Sequence, residues 1–225
     1  MLRVGHQLFA FAAILAGGEL ARRYGAGAPA ASWYGAMAAS VPLAAAPVIA
    51  ASSILPDGDG GGKIARVWFL RPVFFLLSPF LSHRGFTHRL EGIALFCFGI
   101  WALTSRQPTA AHAAGVCALF AMVSLSVFES RAARWGFALL CVPLYFALLD
   151  PAAYRATLFA AAAAYVSHPL ADALSTEGWV PFALGKLRAK IRPPFAFRVG
   201  GGFESGILYP AMGAAIAWAI WARIG

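Results

Sequence analysis

Apolar runs of roughly membrane-crossing length, separated by short polar turns, constrain this chain more than any single motif does. Crossing the hydrocarbon of a bilayer takes about 20 apolar residues in a helix, within a range of about 17 to 25. Backbone groups inside hydrocarbon have no water to bond, so runs of this kind must be helical. Gln7–Leu20, extended by Val4 and Gly5, is the first run, closed by Arg22 and Arg23. Trp33–Leu55 is the second, with Pro42 and Pro47 expected to kink it. Leu90–Thr104, His112–Phe128, Trp135–Leu149, Tyr154–Leu174 and Gly206–Trp221 follow. Val67–Leu81 is shorter and interrupted by Arg71-Pro72 and Pro79. It is expected to be a re-entrant or interfacial helix rather than a crossing.

The predicted fold class is therefore all-α: a polytopic membrane helix bundle of about seven spans plus one re-entrant or interfacial helix. A single integral membrane domain, 1–225, carries a basic loop at 175–205. Composition agrees, with 60% hydrophobic and only 12% charged residues, against about 25% charged in a soluble domain. The formal charge of +9 invites a nucleic-acid reading, but the basic residues lie between apolar runs, which favours anionic lipid headgroups. No nucleic-acid-binding motif is present. Cys97, Cys117 and Cys141 sit far apart within apolar runs and imply no disulfide framework. The apolar N-terminus resembles a signal peptide, but its cleavage pattern is weak and an uncleaved first span is expected.

Against this apolar background, Ser82-His83-Arg84-Gly85-Phe86-Thr87-His88-Arg89 is a dense polar island. Unpaired polar groups beside hydrocarbon cost several kcal/mol each, roughly, so the island needs partners. Parity supplies them. His6 opens span one, and Asp57 and Asp59 follow span two, back on the starting side. If 67–81 does not cross, His83 and His88 lie there too. Four further crossings bring His168 and Asp172 to the same side, and Glu204 precedes span seven there. Five basic residues, Arg22, Arg23, Arg106, Arg155 and Arg223, fall on the opposite side, leaving thirteen of the 18 Lys and Arg on the ligand side. The positive-inside rule places that side in the cytoplasm.

The residue types suit a cation. Asp57-x-Asp59 in a Gly-rich turn is an acidic pair whose repulsion a bound cation relieves, although an ordinary solvated turn uses the same residues. His168 and Asp172, at i and i+4, share one helix face and are common ligands of divalent metals. An imidazole–carboxylate pair within the bundle is the plainer reading of the same spacing. An Asp near the centre of a span costs about 2.5–3.5 kcal/mol and should face an interior or a wet cavity. His83 and His88 align only if Gly85 makes a turn. Arg84 and Arg89 suit a phosphate, or else reach for headgroups. Glu204, after a glycine run, is a candidate ligand or general base.

These segments, in this order, resemble the YdjM-like family of bacterial inner-membrane metal-dependent hydrolases. The likeness rests on Gly5-His6, Leu55-Pro56-Asp57-x-Asp59, His83-Arg84-Gly85-Phe86-Thr87-His88 and Tyr165-Val166-Ser167-His168-x-x-Ala171-Asp172. It runs from His6 to about Glu204. Arg89 stands where members commonly have Ser, and Gly60 where some have His. The resemblance implies a metal site in a membrane bundle.

The expected function is a membrane-embedded metal-dependent hydrolase acting on a lipid phosphoester or phosphodiester through a metal-activated water. His6, Asp57, Asp59, His83, His88, His168 and Asp172 would hold the divalent metal, Zn²⁺ by its share of imidazole. Glu204 would be the base and Arg84 a catalytic cation, with Arg89, Lys186 and Arg188 holding an anionic substrate. The expected partner is membrane lipid, and the expected location the bacterial inner membrane, multi-pass, with the site facing the cytoplasm. Two alternatives stay open. One is a metal transporter or structural-metal protein. The other is a metal-independent phosphohistidine lipid phosphatase, faintly echoed by Lys63, Arg71-Pro72, His88 and His168-x-x-x-Asp172.

Overall fold

The computed structural model describes residues 3–42, 45–60, 86–104, 130, 132, 135–136, 139, 151–176, 178–181 and 190–224. The predicted re-entrant segment 67–81, the run 112–128 and all of 135–149 but 135–136 and 139 lie outside the described residues. Among the described residues the chain is helical, and its extended pairings are two isolated bridges, Ser175–Phe197 and Trp179–Ile191.

Helix α1, Val4–Tyr24, is continuous, with its central turn widened to π-helix over Ala12–Gly17. Helix α6, Glu204–Ile224, opens with a second π-helical turn, Glu204–Leu208. Each has 21 residues, about 31 Å at 1.5 Å per residue, and both are long and apolar enough to cross a membrane. They match the first and last predicted spans.

The second predicted span is two helices, α2 (Pro29–Ala39) and α3 (Ala46–Ser52). The expected kink is a full break, because Pro42 and Pro47 lack the N–H groups that would continue the ladder. The break frees carbonyls, and Arg223 at the end of α6 bonds two of them: Nη1 to Val41 O at 3.2 Å and Nη2 to Ala38 O at 2.9 Å. The described part of helix α4, Leu90–Thr104, has 15 residues, about 22 Å.

Helix α5, Pro151–Ala173, has 23 residues and forms the centre. It packs against α1, α2, α3 and α4, so its Ala-rich surface meets protein rather than lipid. Ala156, Ala160 and Ala164 are buried with Ala10 and Ile14 of α1, Val41, Ala45, and Ile49 of α3. Small side chains at such contacts let helix backbones approach closely, which is how membrane helices associate.

Helix α1 leaves the end of the bundle that holds His6 and reaches the opposite end at Tyr24. Helices α2 and α3 return to the first end, α5 arrives there, and α6 leaves it. Thr87 Oγ1 donates to Pro56 O at 3.0 Å, so the turns at Leu55–Gly60 and Phe86–His88 lie together at that same end. Phe96 of α4 stacks on Tyr165 of α5, with ring centroids 4.2 Å apart. At the opposite end Glu19, whose partner the sequence does not reveal, is buried and bonded to both Arg22, at 2.6 and 2.9 Å, and Arg23, at 2.6 Å.

Candidate metal centre

Five of the predicted ligands converge at the first end of the bundle. His6 comes from the start of α1 and Asp57 from the 3-10 turn Leu55–Gly60. His88 comes from the 3-10 turn Phe86–His88, and His168 and Asp172 from the end of α5. His88 Nε2 lies 3.1 Å from His168 Nε2. Asp57 Oδ1 is 3.4 Å from each of these nitrogens. Asp172 Oδ2 is 4.0 Å from His88 Nε2 and 3.9 Å from His168 Nε2, and its Oδ1 is 3.4 Å from His6 Nε2. The His6 and His168 rings stack, with centroids 3.7 Å apart. His6, His88, His168 and Asp172 are all buried, at 4% exposure or less.

The carbonyls around the site orient the rings. His168 Nδ1–H donates to Ser53 O at 2.6 Å, leaving its Nε2 lone pair to face the centre. Thr87 gives its hydroxyl hydrogen to Pro56 O, so its oxygen accepts from His88 Nδ1, at 3.4 Å. The His88 Nε2 lone pair then faces the centre as well. Two lone pairs 3.1 Å apart beside a carboxylate repel unless a positive charge lies between them. Tetrahedral coordination with bonds of about 2.0–2.1 Å has ligand–ligand edges of about 3.3–3.4 Å, and the His88–His168–Asp57 triangle has edges close to this. Two groups of three residues, His6/Asp57/His168 and His88/His168/Asp172, each bring their donor atoms within 4.8 Å of one another. Both groups use His168, so together they describe one centre. The donor set, nitrogen with carboxylate oxygen and no sulfur, fits a divalent ion such as zinc.

Burial works to raise the Asp57 carboxyl, but without an ion a proton lies on the facing imidazole nitrogens, and hydrogen bonding through it outweighs burial and holds the group well below the usual carboxylate range. A depressed carboxyl adds stability that is complete above its unfolded value of about 3.9 and is lost as the pH falls below it. In chelator-treated protein, the difference in melting temperature between wild type and Asp57→Asn is therefore expected to be full at pH 7 and to shrink below about pH 4.

Backbone contacts fasten the His88 segment. Tyr165 OH donates to Thr87 O at 2.7 Å, and Trp179 Nε1–H donates to His88 O at 2.5 Å. Leu90 N–H donates to Pro181 O at 2.8 Å. Residues 178–181, from the predicted basic loop, thus close over the site. Tyr165 stood in a recognisable motif but carried no assigned role. Ser53 acts through its carbonyl, which side-chain chemistry cannot announce, and Trp179 is a lone aromatic in a loop. Tyr165→Phe removes the tie to Thr87 and is expected to weaken metal binding by about 10- to 100-fold, measured by competition with a chelator.

Glu204 lies beside the centre, outside both donor groups. Its side chain is fully buried. Oε2 accepts from Gly200 N–H at 2.7 Å and Oε1 from Tyr209 OH at 2.8 Å. A Cβ on Gly5 would meet Glu204 Oε1 at 2.7 Å and Tyr209 OH at 2.9 Å. The start of α6 is therefore packed directly against the residue before His6. Gly5→Val is expected to destabilise the protein by roughly 1–3 kcal/mol through overpacking, measurable as a lower melting temperature. Arg89 follows His88 and is half-buried. His83, Arg84, Lys186 and Arg188 lie outside the described residues, as does the side chain of Asp59.

Helices of crossing length around a buried His/Asp cluster define a helical membrane protein with a candidate metal centre. The family model described as YdjM inner membrane protein matches residues 1–223, and the chain belongs to that family. No curated protein and no solved structure is significantly similar to it.

Proposed function

We propose that the protein is a membrane-embedded hydrolase that holds a divalent metal ion, zinc by its donor set, and cleaves a lipid phosphoester at the membrane–water boundary. One observation carries this reading: two buried imidazole nitrogens 3.1 Å apart, with Asp57 Oδ1 3.4 Å from both. His88, His168 and Asp57 would hold the ion, with Asp172 and His6 completing the donor set. When bound, such an ion supplies Lewis acidity, acidifying water and polarising a phosphoryl oxygen. The chain's own residues do the positioning. Ser53 and Thr87 fix the tautomers of His168 and His88, and the loop at 178–181 limits access of water. Arg89, with Arg84, Lys186 and Arg188, would take the anionic group. The donors sit at helix ends and in turns rather than at the middle of the bundle. That favours a reaction at the boundary over transport through a midplane site.

In this reading α4 and the runs at 112–128 and 135–149 complete seven spans, 67–81 re-enters, and the centre faces the cytoplasm. Helix α4 leaves the metal end and α5 returns to it, so an even number of crossings between them agrees with that count. Glu204, with both oxygens engaged by Tyr209 and Gly200, acts as a positioning residue for His6 rather than as the base. Glu204→Gln is expected to keep the metal and the pH profile and to lose less than tenfold in kcat. A loss of about 10²- to 10⁴-fold would instead identify it as the base. The overall test is release of phosphate or headgroup from a panel of phospholipids and polyprenyl phosphates. Activity is expected to vanish with chelator and return with zinc, and turnover indifferent to chelator refutes the reading.

A further inference from the structure

A half-open apolar cavity of about 380 Å³ lies across α1 from the metal centre. Its walls are Leu8, Phe11 and Leu15 of α1, Pro42, Ala46 and Ile49, and Ile216 and Ile220 of α6. Leu8, Phe11 and Leu15 follow at helical spacing on one stripe of α1. His6 lies two residues before Leu8, on the opposite face, stacked on His168. No lining side chain is polar. Two of the three walls are the helices long enough to cross a membrane, so this cavity lies at hydrocarbon depth. Its size is at the low end for sites that enclose a small molecule, about 300–1,000 Å³, and suits one extended hydrocarbon chain.

The far end of the cavity is basic. Four and seven residues beyond Leu15, α1 carries Glu19 and Arg22. Three residues beyond Ile220, α6 carries Arg223, whose guanidinium bonds the carbonyls of Ala38 and Val41 beside the lining Pro42. Arg23 lies over the Trp218 ring at 5.5 Å. Arg22, Arg23 and Arg223 all interact with one carboxylate, Glu19. Arg22 and Arg23 keep side-chain exposures of 49% and 40% despite bonding to it. Exposed Tyr24, Trp33 and Trp221 surround this end, the pattern of residues at a membrane–water boundary.

We infer that this cavity binds an acyl chain of an anionic phospholipid, with the lipid phosphate met by Arg22 and Arg23 at its mouth. The hydrocarbon walls recognise the chain, and the excess of guanidinium over carboxylate selects the negative headgroup. The site faces the opposite membrane boundary from the metal centre, so its lipid is a bound partner rather than the substrate.

Native mass spectrometry of the full chain, released from detergent with phosphatidylglycerol or phosphatidylcholine of identical chains, tests this. The wild type is expected to retain one phosphatidylglycerol, with at least roughly tenfold preference over phosphatidylcholine. Ala46→Phe, which fills the cavity, should lose retention of both lipids. Arg23→Gln should keep chain binding and lose most of the preference. If Ala46→Phe does not fold, Ile216→Phe carries the same test. Equal retention of the two lipids by the wild type, or retention unaffected by filling the cavity, would overturn the inference. Neither outcome depends on metal content or hydrolysis.

Discussion

Asp172→Ala is expected to strip the protein of its metal and its turnover together. The carboxylate reaches His6 through one oxygen, at 3.4 Å, and stands 4.0 and 3.9 Å from His88 and His168 through the other. It is buried, so no water takes its place at low cost. Its loss leaves three imidazoles sharing the charge of Asp57 alone. A group that only hydrogen-bonds to a metal ligand is worth about 10- to 100-fold in affinity, and a carboxylate within the donor set should exceed the upper end of that range. Elemental analysis of the purified variant, paired with a hydrolysis assay, measures both effects. Retained metal with full activity would remove Asp172 from the centre.

The second large effect is on stability. The centre ties together α1, α5 and the turns at Asp57 and His88, all at one end of the bundle. A ligand that binds only the folded state stabilises it by RT ln(1 + [L]/Kd), about 4 kcal/mol at a thousandfold excess over Kd. For a chain of this size that corresponds to roughly 10 °C in melting temperature. Chelation should therefore lower the melting temperature by about that amount and zinc should restore it, while His168→Ala should melt at the lower temperature with or without zinc. A melting temperature insensitive to chelator would mean that the folded centre gains nothing from an ion.

Much of this was legible in the sequence, and for identifiable reasons. Span length follows from bilayer thickness, so α1, α5 and α6 lie where runs 7–20, 154–174 and 206–221 put them, α1 and α6 longer at both ends and α5 longer at its start. Parity put His6, Asp57, Asp59, His83, His88, His168, Asp172 and Glu204 on one side, and the contacts bring His6, Asp57, His88, His168 and Asp172 together at one end of the bundle. The prolines marked where the second run would bend, but not that it would break into α2 and α3, because that depends on Arg223 supplying donors to the freed carbonyls from 182 and 185 residues away. His168 is oriented by the Ser53 carbonyl, and His88 by the Thr87 hydroxyl, which the Pro56 carbonyl sets in turn, and backbone chemistry is the same at every residue. The Gly5–Glu204 contact joins the two ends of the chain and has no local signature. Arg22 and Arg23, which close the first span in the sequence, also bond Glu19 three and four residues before them.

X-ray absorption at the zinc edge of the zinc-loaded protein tests the central claim, that remote segments converge to hold one divalent ion. The account predicts a first shell of nitrogen and oxygen at about 2.0–2.1 Å, with outer-shell scattering from at least two imidazoles that is lost together with the zinc in His88→Ala. A shell of oxygens without imidazole, or one unchanged in that variant, would contradict it.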